Sequence, residues 1–345
     1  MIDLRSDTLT LPTPEMLKTI LTAQLGDDGR LDDNGRGEDK TVNQLEDTAA
    51  ALIHKEAGLL CASGTMGNQV ALLTWCRPGD TALINDLQHL DKSEKTAFDS
   101  RFGQLKKETY SLDSHFQPDL KEIEKKLKKG NISLLCLENT HNYTGGTCIT
   151  PDSLKAIHDI TQQYHVPVHM DGARLFNAAI YLKVPAWELC QYVDSVQFCF
   201  SKGLGAPIGS VLCGTKDFIK EAKDTRKLMG GAMRQAGIIA APALYALEHN
   251  IDRLQEDQDN CCYCASLLTN LQKVKAQEHV ETNILMLDLK DAGISPKEFC
   301  NRAKDKGLFI RPILDTFVRL VFYRGITRKD AFDAASIIRE LDAEL

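Results

Sequence analysis

The chain of 345 residues has little that would direct it to a nucleic acid or a membrane. Its 41 basic and 48 acidic residues give a net charge of −7, and no basic block stands out. No apolar run approaches the length of a membrane span, and the amino terminus lacks the apolar core of a signal peptide. We therefore expect neither nucleic acid nor a membrane as a partner. We predict a cytoplasmic enzyme that acts on small metabolites in the cytosol.

The sequence also lacks the cysteine patterns of a disulfide framework or a metal site. Its eleven cysteines are scattered through apolar stretches, so most are predicted to be buried, reduced thiols. The densest group, Cys261, Cys262 and Cys264, has no Cys-x-x-Cys spacing and no nearby histidine in ligand register. The sequence therefore predicts no metal centre.

Apparent strands alternate with helices between residues 58 and 215, which predicts an α/β fold with a mostly parallel sheet and helices on both faces. We expect a segment over residues 1–15, a large domain over 16–249 and a small α/β carboxyl-terminal domain over 250–345. A single long helix is predicted over Ala236 to Leu271. The strand candidates are Gly58 to Ala62, Thr81 to Ile84, Ser133 to Glu138, Val166 to Met170, Ser195 to Phe200 and Gly209 to Cys213.

Two polar residues follow buried strands of this predicted sheet. Asp171 comes directly after Val166 to Met170, and Lys202 comes just after Val196 to Phe200. In open α/β sheets, ligands bind at the carboxyl ends of the strands. A lysine amine can hold the aldehyde of pyridoxal phosphate as a Schiff base, and a carboxylate can keep its pyridine nitrogen protonated. The pair predicts such a site, although a lone lysine after a strand is more often a solvated loop residue.

A loop between a strand and a helix, Ala62 to Asn68, suits the phosphate of the same cofactor. Backbone N–H groups at a helix amino terminus attract anions, and this loop adds the hydroxyls of Ser63 and Thr65 beside Gly64. Taken alone, the loop is also consistent with an ordinary strand-to-helix turn. Its position ahead of the aspartate and the lysine in one α/β domain favours phosphate binding.

Several motifs together resemble one enzyme family, the L-threonine aldolases of the β-eliminating lyase group. These enzymes bind pyridoxal phosphate and have the aspartate aminotransferase-type fold, fold type I, so the resemblance implies that fold. The motifs run in family order through nearly the whole chain. They are Leu4-Arg-Ser-Asp-Thr-Leu-Thr, Gly37-Glu-Asp-Lys-Thr-Val-Asn-Gln-Leu-Glu, Ser63-Gly-Thr-Met-Gly-Asn, Glu138-Asn-Thr-His-Asn, His169-Met-Asp-Gly-Ala-Arg-Leu-Phe-Asn-Ala, Ser201-Lys-Gly-Leu-Gly-Ala-Pro-Ile-Gly-Ser, Gly230-Gly-Ala-Met-Arg-Gln-Ala-Gly and Arg319-Leu-Val.

The resemblance implies a role for each matching residue. Lys202 would be the Schiff-base lysine, Asp171 the partner of the pyridine nitrogen, and His89 a histidine stacked on the cofactor ring. The phosphate would be held by Gly64 and Thr65 with Arg234 of a neighbouring subunit, so a homo-oligomer, a dimer or tetramer with shared active sites, is expected. The substrate carboxylate would be bound by Ser6, which would bring the first segment into the active site, together with Arg174 and Arg319.

The resemblance further implies retro-aldol cleavage of the Cα–Cβ bond of a β-hydroxy-L-amino acid to glycine and an aldehyde. His89, His141 beside the substrate, and an ordered water are equally open as the base. Because pyridoxal phosphate can labilise any bond on Cα, β-elimination, racemisation and transamination also stay open. A non-catalytic protein that keeps the cofactor and senses an amino acid is the alternative from another class.

The departures from the family pattern lie close together. The segment after His89 is charged where the family is apolar and aromatic, and Arg36 stands where the family tends to have tyrosine. Near the carboxyl terminus, Phe322 and Tyr323 replace a threonine and a histidine. We hypothesise a side-chain pocket that accepts a larger or charged substrate, with Arg36 and Lys92 as its markers. The alternative is that these charges face solvent.

Overall fold

The computed structural model describes residues 1–33 and 35–345. Most of the predicted strands are present within a residue or two of their expected bounds. The strands are β1 (Ile2–Asp3), β2 (Ala57–Cys61), β3 (Thr81–Asn85), β4 (Lys106–Tyr110), β5 (Leu134–Glu138), β6 (Val168–Asp171), β7 (Ser195–Cys199), β8 (Ser210–Gly214), β9 (Lys275–Ala276), β10 (Ile284–Asp288), β11 (Leu308–Phe309), β12 (Arg311–Ile313) and β13 (Phe317–Val321).

Several of the helices begin where the sequence supplies a capping side chain. Thr13, Thr150 and Ser295 each cap a helix whose first residue is proline, which has no N–H to leave unpaired. The helices are α1 (Pro14–Lys18), α2 (Lys40–Leu52), α3 (Gly64–Trp75), α4 (His89–Lys92), α5 (Leu120–Leu127), α6 (Pro151–Gln163), α7 (Leu175–Leu182), α8 (Ala186–Cys190), α9 (Lys216–Leu228), α10 (Gly237–His249), α11 (Leu254–Leu267), α12 (Pro296–Asp305) and α13 (Arg328–Ala343). Short 3₁₀ turns cover Asp7–Leu9, Thr19–Thr22 and Asn142–Thr144.

A seven-stranded sheet in the order β2-β8-β7-β6-β5-β3-β4 forms the centre of the molecule. Strands β4, β3, β5, β6 and β7 run parallel, and β8 is antiparallel to both of its neighbours. Both faces are apolar and covered by helices, because Leu135 and Leu137 of β5 enter one core cluster while Leu134 and Cys136 enter another. The predicted α/β class with a mostly parallel sheet is thereby confirmed.

A four-stranded sheet in the order β12-β13-β10-β9 belongs to the carboxyl-terminal part of the chain. It has a hydrophobic core of its own, which α11, α12 and α13 help to build. Strand β1 pairs in parallel with β11, and Ile2 and Leu4 enter the same core. The chain start is thus anchored on the carboxyl-terminal part; the boundaries at residues 15 and 249 stay predictions.

Two expectations about secondary structure were wrong. The predicted long helix over Ala236 to Leu271 is divided into α10 and α11, because the chain turns at Asn250, whose side-chain amide donates to the carbonyl of Leu204 at 2.6 Å. Strand β4 was not expected, because its largely solvent-exposed sequence, Lys-Lys-Glu-Thr-Tyr, is too polar for a buried strand. It pairs only with β3, at the edge of the sheet. Within the described ranges, none of the helices is long and apolar enough to cross a membrane.

Candidate active site

A cavity of about 350 Å³ lies at the carboxyl ends of β5 and β6 and brings together residues from distant parts of the chain. Asp171 ends β6, Lys202 follows β7, and His89 begins α4 after β3. This is the edge at which the parallel strands were expected to present a ligand site. The residues that line the cavity are Ser6, Thr8, His89, Ser93, Glu138, Thr140, Asn142, Tyr143, Asp171, Ala173, Arg174, Lys202, Arg311, Pro312, Ile313, Leu314 and Arg319.

The carboxylate of Asp171 is buried and held by two donors. The backbone N–H of Ala173 donates to Oδ1 at 3.0 Å, and the side-chain amide of Asn68 donates to Oδ2 at 2.9 Å. Asp171 is therefore a preorganised acceptor at the edge of the cavity.

His89 forms a pair with Glu94, a carboxylate that is only 2% exposed. The distance from His89 Nδ1 to Glu94 Oε1 is 2.7 Å, which leaves His89 Nε2 as the ring nitrogen not engaged by Glu94. Burial lowers the pKa of His89, but the hydrogen bond to Glu94 and the charges of Asp171 and Glu138 outweigh burial and raise that pKa above its usual value. The pairing also defines the tautomer, with the proton on Nδ1 when the ring is neutral.

His89, Glu94 and Asp171 each place one potential ligand atom within 4.8 Å of the others. Such a group can in principle hold a metal ion. Here both carboxylates accept the amide of Asn68, and Glu94 also accepts from His89. Hydrogen bonds within the protein therefore account for the cluster.

Glu138, at the end of β5, is a buried carboxyl that joins two loops of the site. Its Oε2 accepts the backbone N–H of His89 at 2.6 Å, and its Oε1 accepts that of Asn142 at 2.8 Å. Burial, together with the charge of Asp171, raises the pKa of Glu138 to about 7, although the two hydrogen bonds lower it. Glu138 thus fixes the backbone on both sides of the cavity.

Arg174, expected to bind the substrate carboxylate, is already paired inside the protein. Its Nε and Nη2 donate to the two oxygens of Asp7 at 2.6 and 2.8 Å, and both side chains are buried. Burial would raise the pKa of Asp7, but Arg174, with Lys202 and Arg319 nearby, outweighs burial and lowers it. Asp7 thus engages two nitrogens of the guanidinium, and because Arg174 also lines the cavity, its role at the substrate carboxylate stays a prediction.

Arg319, on β13, is only 4% exposed. Its Nη1 donates to Asn142 Oδ1 at 2.5 Å, and its Nη2 donates to the carbonyl of Arg5 at 3.4 Å. Among the described residues, its Nε has no hydrogen-bond partner and no carboxylate forms an ion pair with its guanidinium. Burial, reinforced by the charge of Arg174, lowers the pKa of Arg319 to about 10. A buried cation without a counter-ion beside a cavity indicates an anion site.

The expected phosphate loop is the amino terminus of α3, where the helix begins at Gly64, earlier than the sequence suggested. Ser63 caps the helix by accepting from the backbone N–H of Met66 at 3.2 Å, and Ser63 and Thr65 are exposed. A Cβ on Gly64 would lie 2.6 Å from the sulfur of Cys199, three residues before Lys202. The lack of a side chain therefore lets this helix end approach the strand that delivers the lysine.

Four of the predicted site residues do not line the cavity formed by the described residues of one chain: Gly64 and Thr65 at the start of α3, Arg234 and His141. Arg234 is on the surface, with its side chain 74% exposed and its Nε 3.7 Å from Asp27 Oδ2. His141 is buried, and within residues 1–33 and 35–345 neither of its ring nitrogens has a hydrogen-bond partner. Burial lowers the pKa of His141 to about 3, so its ring is neutral at pH 7.

Most of the departures from the family pattern also lie away from the cavity of one chain, so its lining gives the charged-pocket hypothesis little support, and the pocket stays a hypothesis. Arg36 forms a two-pronged pair with Asp47, and Lys92 is exposed. Neither lines the cavity within the part of the chain that the structure describes; of the charged segment after His89, Ser93 does. Phe322 is buried in the carboxyl-terminal core, and the hydroxyl of Tyr323 donates to the carbonyl of Asp3.

The residues of the site that were not identified from the sequence include Asp7, Asn68, Glu94, Glu138 and Asn142. Asp7, Asn68 and Glu138 stood inside quoted motifs, and Glu94 stood in the segment taken as a departure from the family. The signal available for Glu94 was its spacing of five residues from His89 across a short helix, α4. Nothing in the local sequence tells a buried carboxylate from a solvated one in so charged a segment.

Comparisons with known proteins give one consistent result. Residues 3–292 match the family model described as β-eliminating lyase. The low-specificity L-threonine aldolase 1 of Arabidopsis thaliana is 35% identical over 98% of this chain and 96% of its own length. The low-specificity L-threonine aldolase of Escherichia coli is 36% identical over 97% and 98%. The solved structure of Leishmania major threonine aldolase has a similar fold, with a TM-score of 0.80 at 15% identity over 99% of this chain and all of that one.

Proposed function

This chain belongs to the β-eliminating lyase family, and from that premise we propose that it is a pyridoxal-phosphate-dependent aldolase. It would cleave a β-hydroxy-L-amino acid of the threonine or allo-threonine type to glycine and an aldehyde. The relatives that are about 35% identical over nearly full length carry that activity in their names. The observation that carries the proposal is the single cavity that joins Lys202, Asp171 and the unpaired Arg319.

The residues present fit the cofactor. Lys202 and Asp171 line one cavity, and a buried acceptor such as Asp171 suits a protonated pyridine nitrogen. Gly64 at the start of α3 lets this helix end lie against the strand that leads to Lys202, because a Cβ there would be 2.6 Å from the sulfur of Cys199. Lys202 would hold the aldehyde carbon, Asp171 the ring nitrogen, and the first turn of α3 the phosphate. When bound, pyridoxal phosphate withdraws electrons from Cα and so weakens a bond to that carbon.

Arg319 is proposed to bind the substrate carboxylate. Its guanidinium faces the cavity without an acidic partner among the described residues, whereas that of Arg174 is held by Asp7. The side-chain oxygen of Asn142 accepts from both arginines and holds them side by side. Ser6, also on the cavity, can donate its hydroxyl to the same carboxylate. This arrangement orients the amino acid before bond cleavage.

His89 is the proposed base for the β-hydroxyl proton. Glu94 pairs with His89 Nδ1 and does not engage Nε2. Because the proton of the neutral ring is then on Nδ1, Nε2 is available as an acceptor. As the hydroxyl proton moves to Nε2, the Cα–Cβ bond breaks and the β-carbon leaves as an aldehyde. A proton added to Cα completes glycine, so atoms and charges balance. His141 lies outside the cavity of one described chain and is the weaker candidate.

A homo-oligomer, a dimer or tetramer with shared active sites, is part of this proposal. Arg234 is exposed, and it does not line the cavity of its own chain. Six leucines of the first 31 residues are also exposed, as expected of a surface that another subunit covers. They are Leu9, Leu11, Leu17, Leu21, Leu25 and Leu31. A cytosolic location stays a prediction from the sequence.

Product analysis tests the activity. Cofactor-loaded protein is incubated with L-threonine, L-allo-threonine and larger β-hydroxy amino acids, and glycine and the aldehyde are measured by mass spectrometry. Equal amounts of both, lost in Lys202→Ala, are the expected result. A keto acid with ammonia would instead indicate elimination, and exchange of the Cα proton without cleavage would indicate racemisation. Binding of the amino acid without any product would indicate a sensor.

Subunit mixing tests the shared site. Lys202→Ala and Arg234→Ala are each expected to be inactive when tested alone. The first variant lacks the lysine in all of its sites, and the second lacks the arginine that binds the phosphate. If Arg234 acts in the neighbouring site, a mixed dimer contains one site with both residues intact, and mixing restores part of the activity. Absence of recovery, with subunit exchange verified by mass, would contradict the shared site.

A further inference from the structure

The side-chain amide of Asn68 lies at the centre of a buried hydrogen-bond chain. Its Nδ2 is 2.9 Å from Asp171 Oδ2 and 3.2 Å from Glu94 Oε1, and all three side chains are at most 2% exposed. An amide nitrogen carries two hydrogens, so both bonds can form at once. One side chain thereby contacts the carboxylate assigned to the cofactor ring and the carboxylate that holds His89.

The orientation of this amide is determined by the residues behind it. Trp75 Nε1, which can only donate, is 2.8 Å from Ser195 Oγ, so the hydroxyl proton of Ser195 is free to reach His169 Nδ1 at 2.9 Å. The remaining ring proton is then on His169 Nε2, which donates to Asn68 Oδ1 at 3.2 Å. With this assignment of the His169 proton, the donors run in one direction, from the indole to the two carboxylates.

The opposite orientation of the amide is excluded by charge. It would direct Asn68 Oδ1 at two carboxylate oxygens and leave the N–H of His169 facing two other donors. Unpaired polar groups in a buried position cost about 1–3 kcal/mol each. Burial also lowers the pKa of His169 to about 4, which keeps the ring neutral with a single proton.

We propose that Asn68 is a positioning residue that holds Asp171 and, through Glu94, His89, with His169 fixing the direction of its amide. This inference rests on the proposed function, because it takes Asp171 as the partner of the pyridine nitrogen. Both carboxylates receive a donor from the same nitrogen, so a change at residue 68 alters both together. Gln69, the next residue on α3, donates to Glu94 Oε2 but, among the residues that the structure describes, makes no hydrogen bond to Asp171.

Substitutions at residue 68 test the inference through cofactor binding. Asn68→Asp keeps the shape but removes the donor and places a third carboxyl against two others, and Asn68→Ala removes the amide. Both are expected to raise the dissociation constant of pyridoxal phosphate about 10- to 100-fold, the loss typical of a hydrogen bond to a charged group. Asn68→Asp should also shift the absorption band of the bound cofactor, which reports the proton on the pyridine nitrogen. Unchanged binding and spectrum in both would overturn the proposal.

A pair of variants at residue 169 separates positioning from general damage to the core. The side-chain amide nitrogen of Gln can occupy the place of the ring Nε2, so His169→Gln is expected to keep the wild-type spectrum and binding. His169→Leu cannot donate and should weaken cofactor binding as Asn68→Ala does. Equal behaviour of the two variants would overturn the role of His169. Circular dichroism of the apoproteins shows that both fold.

These measurements are independent of the aldolase assay. If wild-type protein released no glycine from any β-hydroxy amino acid, the proposed function would fail, while the binding constant and the spectrum would still report on Asn68. If glycine were formed but the Asn68 variants bound the cofactor as the wild type does, the positioning role alone would fail.

Discussion

Replacement of Arg319 by methionine is the most direct test of how the substrate is recognised. The guanidinium is 4% exposed and has no acidic partner among the described residues, so a bound carboxylate would be its first counter-ion. Removing one partner of a buried, hydrogen-bonded charge pair costs about 2–5 kcal/mol. We therefore expect kcat/KM to fall by roughly 30- to 5,000-fold, carried mainly by KM, since about 1.4 kcal/mol corresponds to a factor of ten.

Arg311 is the matched control for this variant. It lines the same cavity and lies opposite Arg319 in the pairing of β12 with β13, but its side chain is exposed. Water screens an exposed charge, so Arg311→Met is expected to change kcat/KM less than about fivefold, within the ~1 kcal/mol typical of exposed pairs.

The assay is steady-state release of aldehyde from L-threonine and from L-threonine amide, which lacks the carboxylate. Wild-type protein should prefer the acid strongly, and Arg319→Met should lose that preference. Arg319→Met with KM within threefold of wild type, or a loss in Arg311→Met as large as in Arg319→Met, would refute the assignment. Absorbance of the bound cofactor shows that each variant is still loaded.

Three further predictions follow from the same contacts. Glu94→Gln removes the negative partner of His89 and lowers its pKa, and since the neutral ring is the base, the acid limb of kcat/KM should move to lower pH; an unmoved limb would contradict the dyad. Asp7→Asn leaves a buried guanidinium unpaired and should reduce the free energy of unfolding of the apoprotein by about 3–5 kcal/mol in urea at pH 7. Because the folded pKa of Asp7 is depressed, this loss should be full above about pH 4 and shrink as the pH falls further; a constant loss would be inconsistent with an ion pair. Arg36→Tyr and Lys92→Leu lie outside the cavity and should leave the ranking of β-hydroxy amino acids unchanged, and a changed ranking would support the charged-pocket hypothesis.

The sequence predicted the sheet well because its strands are buried on both faces. A run such as Leu134–Glu138 is apolar at each position until its last residue, and such runs are recognisable without knowledge of their neighbours. The two residues that best indicate the cofactor, Asp171 and Lys202, were found for the same reason: each follows directly after such a run. Strand β4 was missed because an edge strand needs no apolar pattern.

The partners of charged side chains could not be predicted in this way. Arg174 and Arg319 carry the same group, and the sequence assigned both to the substrate carboxylate. Only the fold brings Asp7, 167 residues away in the chain, into the fork of Arg174 and leaves Arg319 unpaired. The choice between a substrate ligand and an internal ion pair depends on distances of a few ångströms between segments that are remote in sequence.

The sequence by itself therefore determined the fold class and the family, and it predicted the cofactor, because those inferences depend on local apolar patterns and on short motifs. The tertiary structure alone decided which charges are engaged and which are free. It placed Arg36 and Lys92 away from the cavity, and it made Glu94 a buried partner of His89. The physical reason is that burial changes the energetics of a charge by several kcal/mol, and burial is a property of the packed chain and not of any segment in it.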